Sequence, residues 1–208
     1  MSNNARLPPK QDKTVWLAFM DYVQQKELMP VIAFVFSRNR CNELGDMVSS
    51  LDLTTQKEKH LINSFFWRVV SRLNESDRDL PQIKRLEYYL ERGVGIHHSG
   101  ILPILKQAAE MLFQEVVVKI FFATERFAMG VNMLARTVVF DSINKHDGLE
   151  FRDLRPREYI QMSGRAGRRG LDKTGNVIIL GYVHIWEWRL GPSKLDNIVY
   201  KLAHASNP

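Results

Sequence analysis

The chain has 208 residues, 45% hydrophobic and 25% charged, which suits one large globular domain or two small ones and excludes a disordered or fibrous chain. Lys and Arg number 29 against 23 Asp and Glu, and the net charge of +6 mildly favours an anionic partner such as nucleic acid or a nucleotide phosphate. A single cysteine, Cys41, excludes an internal disulfide framework, argues against a cysteine-built zinc site and suits a reducing compartment.

Residues 1–13 are polar, carry the pair Pro8-Pro9 and read as a flexible leader. They have no apolar h-region of a secretory signal, so the cytoplasm is the expected compartment, with the nucleus as the alternative. From Thr14, apolar residues at Trp16, Leu17, Met20, Val23 and Leu28 have helical spacing, and Pro30 closes the segment. Val31 to Phe36 is continuously apolar, β-branched and aromatic, which predicts a strand buried on both faces. Ser37 can cap the following helix, expected at 39–50. Apolar positions 61, 62, 65, 66, 69, 70 and 73 stripe a helix over 56–73. A polar loop (74–80), a helix (81–91), a short strand (93–96) and a helix (103–114, with Pro103 in its first turn) follow. Val116 to Ala123 predicts a third strand; Lys119 interrupts this longest apolar run, which falls short of the ~20 residues a membrane helix needs. Strands are also expected at 137–140 and 176–180, with a helix at 156–163 between them.

Apolar strands alternating with helices imply an α/β domain, a parallel sheet with helices on both faces, spanning residues 14–180. Ligands of such sheets lie beyond the carboxyl ends of the strands. The chemistry-bearing residues do follow strands: Ser37 and Arg38, His97 to Gly100, and Thr124 to Asn132. The densest of these segments is Gln161-Met162-Ser163-Gly164-Arg165-Ala166-Gly167-Arg168-Arg169-Gly170. From Phe151 to Gly170 six arginines face only Asp153 and Glu158, a local charge of +4. Guanidinium forks suit phosphate oxygens, and small neighbours allow close approach. A solvated basic turn is the competing reading, and the spacing Gln-x-x-Gly-Arg-x-Gly-Arg weighs against it.

Gln161 to Gly170 resembles the last motif of superfamily 2 helicases, and Ala123-Thr124-Glu125-Arg126-Phe127-Ala128-Met129-Gly130-Val131-Asn132 resembles the motif before it. Phe34 to Arg38, Gly95 to Gly100 and Val139 to Ser142 stand in the matching order. Together they are similar to the second RecA-like domain, of the P-loop-NTPase type, of the superkiller family of exosome-associated RNA helicases. The resemblance implies a lobe of an ATP-dependent 3′ to 5′ RNA helicase in exosome-linked RNA degradation. Its partners would be the RNA backbone, the first RecA-like lobe and subunits of a superkiller complex, with no membrane. ATP would sit between two lobes, with Mg2+ held by the first. Arg165 and Arg168 would act as arginine fingers on the γ-phosphate, Gln161 would couple that region to the other lobe, and Gly130 and Asn132 would approach the nucleotide. Thr124, Ser37 and Arg38 would contact RNA phosphates, and Ser99 and Gly100, read as opening a helix with Ile101, would offer it N–H groups.

The 208 residues contain no Gly-x-x-x-x-Gly-Lys-Ser/Thr loop and no Asp-Glu box, so the chain alone is expected not to hydrolyse ATP. A non-catalytic module from a truncated helicase, binding RNA or protein, is the alternative reading. Residues 181–208 match nothing in the family pattern and read as a divergent tail. Arg126 stands where the family has Thr, and Leu134 where it has Pro. No metal site is expected: His97 and His98 have no further ligand at metal spacing. Asp141 is read as orienting the loops and Cys41 as an inert packed thiol.

Overall fold

A computed structural model describes residues 9–180. The helix read as starting at Thr14 starts at Pro9 and runs to Gln25 (α1), so the last residues of the expected leader are helical. Val31–Phe34 (β1) leads into Arg38–Val48 (α2), capped by the Ser37 hydroxyl oxygen, which accepts from the Arg40 N–H at 3.4 Å. Gln56–Val70 (α3) opens with a reciprocal cap between Thr55 and Glu58. It stops short of Leu73 because Arg78 ties down the carbonyls of Leu73 (3.0 Å) and Ser71 (2.7 Å). Arg78 itself ends a one-turn helix, Glu75–Arg78 (α4), inside the expected loop. Pro81–Glu91 (α5), Val94–His97 (β2) and Pro103–Gln114 (α6) follow as expected.

Ile120–Ala123 (β3) begins four residues later than its apolar run. The preceding valines unwind α6 instead: Val117 and Val118 donate N–H groups to the Leu112 carbonyl, and Val116 takes a φ of +59°. Arg126–Gly130 (α7), Thr137–Phe140 (β4), Asn144–His146 (β5), Phe151–Asp153 (β6), Pro156–Ser163 (α8) and Asn176–Ile179 (β7) complete the order. The short helix α7 and the antiparallel β5–β6 hairpin carry no apolar periodicity that would announce them. The tail read at 181–208 lies outside the described residues.

The main sheet is parallel throughout, in the order β2-β3-β1-β4-β7. Successive side chains point to opposite faces. Ile32 and Phe34 therefore join a core with Ile62, Phe66, Leu112 and Phe127, while Val31, Ala33 and Val35 join a second core with Trp16, Met20 and Leu44. Both cores are closed by helices, which is why β1 is apolar at every position.

One polar group crosses the second core. Arg40 is 5% exposed, and its guanidinium donates to Asp12 (2.7 Å) and to both Asp141 oxygens (3.0 and 3.1 Å). The Trp16 indole N–H donates to the same Asp141 at 3.2 Å. Asp141 thus fastens α1 and α2 to the end of β4. Cys41 beside it is fully buried, and burial with the Asp141 charge pushes its thiol up to about 12, so it stays protonated and unreactive. Replacing Asp141 with Ala removes one of the carboxylates compensating a buried guanidinium. Urea unfolding is expected to report a loss of roughly 3 kcal/mol, and an unchanged midpoint would contradict this account.

Candidate functional site

Register brings the strand-end segments to one edge. Phe34 pairs with both Ala123 and Phe140, and Ala123 pairs with His97, so the loops after β1, β2, β3 and β4 leave the sheet at one level. The Thr124 N–H donates to the His97 carbonyl at 3.1 Å and the Val35 N–H to the Ala123 carbonyl at 2.9 Å. Arg38 is exposed at the start of α2 and lies beside the loop after β2: a Cβ on Gly100 would stand 4.0 Å from Arg38 Cδ. Ser37, Arg38, Ser99, Gly100 and Thr124 therefore belong to three neighbouring strand ends, with Ser99 and Gly100 exposed.

Ser99, Gly100 and Ile101 do not open a helix. They form a turn, and Leu102 caps α6, its own N–H donating to Gln82 at 3.3 Å. The Gly100 N–H donates to Nδ1 of His98 at 3.1 Å, and Ile101 donates to the His98 carbonyl at 3.2 Å. The turn is thus organised by a histidine. Because Nδ1 accepts, Nε2 carries the proton and donates to Asn42 Oδ1 at 3.3 Å. His97 instead meets Glu110 at 2.7 Å and packs edge-on against Phe127. Among the described residues no three His, Cys, Asp or Glu side chains gather as a metal site.

The nucleotide-side candidates divide into two arrangements. Arg165 reaches back to α7: one guanidinium nitrogen donates to Asn132 Oδ1 at 3.0 Å and another to the Ala128 carbonyl at 2.6 Å. Asn132 and Arg165 are therefore in direct contact, with Gly130 close in sequence and open to solvent. Arg168 turns the other way. Its backbone N–H (3.0 Å), Nε (2.8 Å) and terminal nitrogen (3.0 Å) all bond Asp172, which raises the Arg168 pKa and lowers that of Asp172. Gln161 is exposed on α8, and the turn that follows is stitched to the segment before β4: Ala135 donates to the Arg165 carbonyl (3.0 Å) and Gly167 to the Ala135 carbonyl (2.7 Å). That stitching holds the segment where the family's proline is replaced by Leu134. Arg126, the other departure, is exposed at the entrance to α7.

The sequence reading missed three contributors. Asp172 stands four residues after Arg168, an acidic partner at helical spacing that could have been noticed. Gly175 could not: a Cβ there would meet the Ala166 carbonyl carbon and oxygen at 2.5 Å, so the arginine turn packs against bare backbone from a segment nine residues on. Lys145 sits on the hairpin that no sequence pattern announced.

Burial and the nearby Arg38 charge lower the His98 pKa from the ordinary 6.5 to about 4. The unfolded chain takes up that proton first, so stability is present above pH 6.5 and is lost as the pH falls toward 4. An NMR titration of the His98 ring is expected to show the low value, together with a loss of the Gly100 hydrogen bond on protonation; titration near 6.5 would contradict the neutral, accepting Nδ1.

Comparison with known proteins gives concordant matches. The family described as "Helicase conserved C-terminal domain" matches residues 39–170. The chain is 58% identical to human "Superkiller complex protein 2" over 172 residues, 83% of this chain and 14% of that protein. It is 53% identical over 165 residues to "DExH-box ATP-dependent RNA helicase DExH11" of Arabidopsis thaliana, 79% of this chain and 12% of that protein. Human "Exosome RNA helicase MTR4" is 46% identical over 158 residues, 76% of this chain and 15% of that protein. The chain thus spans about one seventh of the length of the relatives it matches.

Proposed function

Because this chain belongs to the helicase conserved C-terminal domain family, we propose that it forms the second RecA-like lobe of an ATP-dependent RNA helicase that moves 3′ to 5′ in exosome-linked RNA degradation. The observation that carries the reading is the short helix α7. Thr124 stands two residues before it among the other strand-end residues, and Arg165 is held by the Ala128 carbonyl within it and by Asn132 two residues beyond its end. The two proposed phosphate contacts, Thr124 and Arg165, thereby meet at one short helix.

On the RNA side Thr124, Ser37, Arg38 and Ser99 contact backbone phosphates, which positions a strand without reading its sequence, while Gly100, whose N–H is bound to His98, lines the path without donating to it. On the nucleotide side Arg165 and Arg168 place cationic donors toward the γ-phosphate, Gln161 faces the partner lobe, and Gly130 leaves room for close approach. These donors are guanidinium, amide and backbone groups, which suit phosphate oxygens rather than Mg2+, so the metal falls to the first lobe. ATP supplies the phosphoanhydride whose cleavage drives movement; the chain's own share is to stabilise charge on the transferring phosphoryl group. The partners are RNA, the first lobe and exosome-linked superkiller subunits, in the cytoplasm.

Arg168 reaches a phosphate only by exchanging Asp172 for it, so its role includes breaking an ion pair that the lobe alone retains. Joined to a matching first lobe, Arg165→Ala and Arg168→Ala are each expected to lower ATP turnover by about 10³-fold, with the circular dichroism of the lobe unchanged. Retained turnover in both would refute the assignment. By filter binding, the chain alone is expected to hold single-stranded poly(U) and poly(A) alike, with a Kd of roughly 1–100 µM at about 0.1 M salt. Arg38→Ala is expected to weaken both equally and to reduce the salt dependence by about one phosphate contact. Unchanged affinity would remove Arg38 from the RNA path.

A further inference from the structure

We propose that Lys145 is a positioning residue that links the RNA-facing entrance of α7 to the helix carrying the arginine turn, so that a phosphate held at Thr124 steadies Arg165 and Arg168. The proposal rests on the functional reading above and deepens it.

Lys145 lies on β5 and is 9% exposed. Its Nζ stands 2.6 Å from Glu125 Oε2 and 2.8 Å from Glu158 Oε1. Glu125 is the residue after Thr124. Glu158 is in the first turn of α8, three residues before Gln161. One ammonium therefore bridges carboxylates from the two segments whose roles must be coordinated.

The rest of the cluster makes this bridge specific. Glu158 is fully engaged: Arg152 donates to its two oxygens at 2.8 and 2.9 Å, and the Arg155 N–H donates at 2.8 Å. Arg152 also faces Asp147 at 3.3 Å. These bonds, with the Leu154 N–H donating to the Ile143 carbonyl at 2.8 Å, already fasten the hairpin to itself and to α8. The Glu125 contact adds nothing to the hairpin; what it adds is the connection to α7. Exposed ion pairs contribute little, but a largely buried ammonium between two carboxylates is costly to unpair; its loss leaves Glu158 with Arg152 and removes the cation from Glu125. Burial pulls the Lys145 pKa down, yet the bonds to Glu125 and Glu158 outweigh it and hold the ammonium above its ordinary value.

Coupling of this kind is shown by a remote response. Hydrogen exchange of the chain, with and without single-stranded poly(U), follows the amides of Ala135, Arg165 and Gly167, which are hydrogen-bonded within the stitched turn. In the wild type, RNA is expected to slow their exchange by roughly fivefold or more. Lys145→Met is expected to bind RNA with protection around Thr124 but to lose the remote slowing, and Lys145→Arg to keep it. Full remote slowing in Lys145→Met, or wild-type protection confined to Thr124 and its neighbours, would overturn the inference while leaving the functional reading in place. A wild-type chain that binds no RNA would overturn both. Should Lys145→Met fail to fold by circular dichroism, Glu125→Gln, which removes the charge and keeps the shape, carries the same expectation and the same refutation.

Discussion

Each strand of the main sheet is four residues long and paired in step with its neighbours. A strand of that length rises only about 13 Å, so the sheet has no spare register to absorb a shift. A one-residue slip in β1 would exchange Ile32 and Phe34 for Val31 and Ala33 between two differently filled cores. The chemistry depends on this constraint more than on any single bond. Because the strands end level, the residues that follow them are neighbours although the chain separates Ser37 from Thr124 by 87 positions.

The fold was legible where burial dictates composition. A strand covered on both faces is mostly apolar, and the five sheet strands were visible as short apolar runs for that reason. The same rule overreached at Val116 to Lys119, where apolar residues serve the end of a helix, because hydrophobicity alone does not distinguish the two uses. The hairpin and α7 were invisible for the opposite reason. The hairpin is held by ion pairs, and α7 by one buried pair, Phe127 and Ala128, with a carbonyl contact to a distant arginine, and neither arrangement leaves a period in the sequence.

The site was legible as a set of residue types and illegible as a wiring diagram. The resemblance to helicase motifs put Arg165 and Asn132 in the nucleotide group, and they do touch. It did not reveal that Arg168 turns toward Asp172, or that His98 ties up the Gly100 N–H. Both facts concern which of several available partners a polar group selects, and that selection is made by backbone geometry assembled from elsewhere. Gly175 is the extreme case: its contribution is a missing side chain, recognisable only once Ala166 is seen against it.

The pairing of Arg168 with Asp172 also bears on how such a lobe fares in a cell crowded with phosphates. A guanidinium already holding a bidentate carboxylate at 2.8 and 3.0 Å is not an open trap for whatever anion diffuses past. A stray monophosphate must displace an intramolecular rival that is always at hand, whereas the polyphosphate of the proposed two-lobed enzyme would arrive with more charge and with its own orientation fixed. On the proposed reading, prior engagement would act as a filter, and the arginine's discrimination between ligands would be set as much by the neighbour it leaves as by the one it meets.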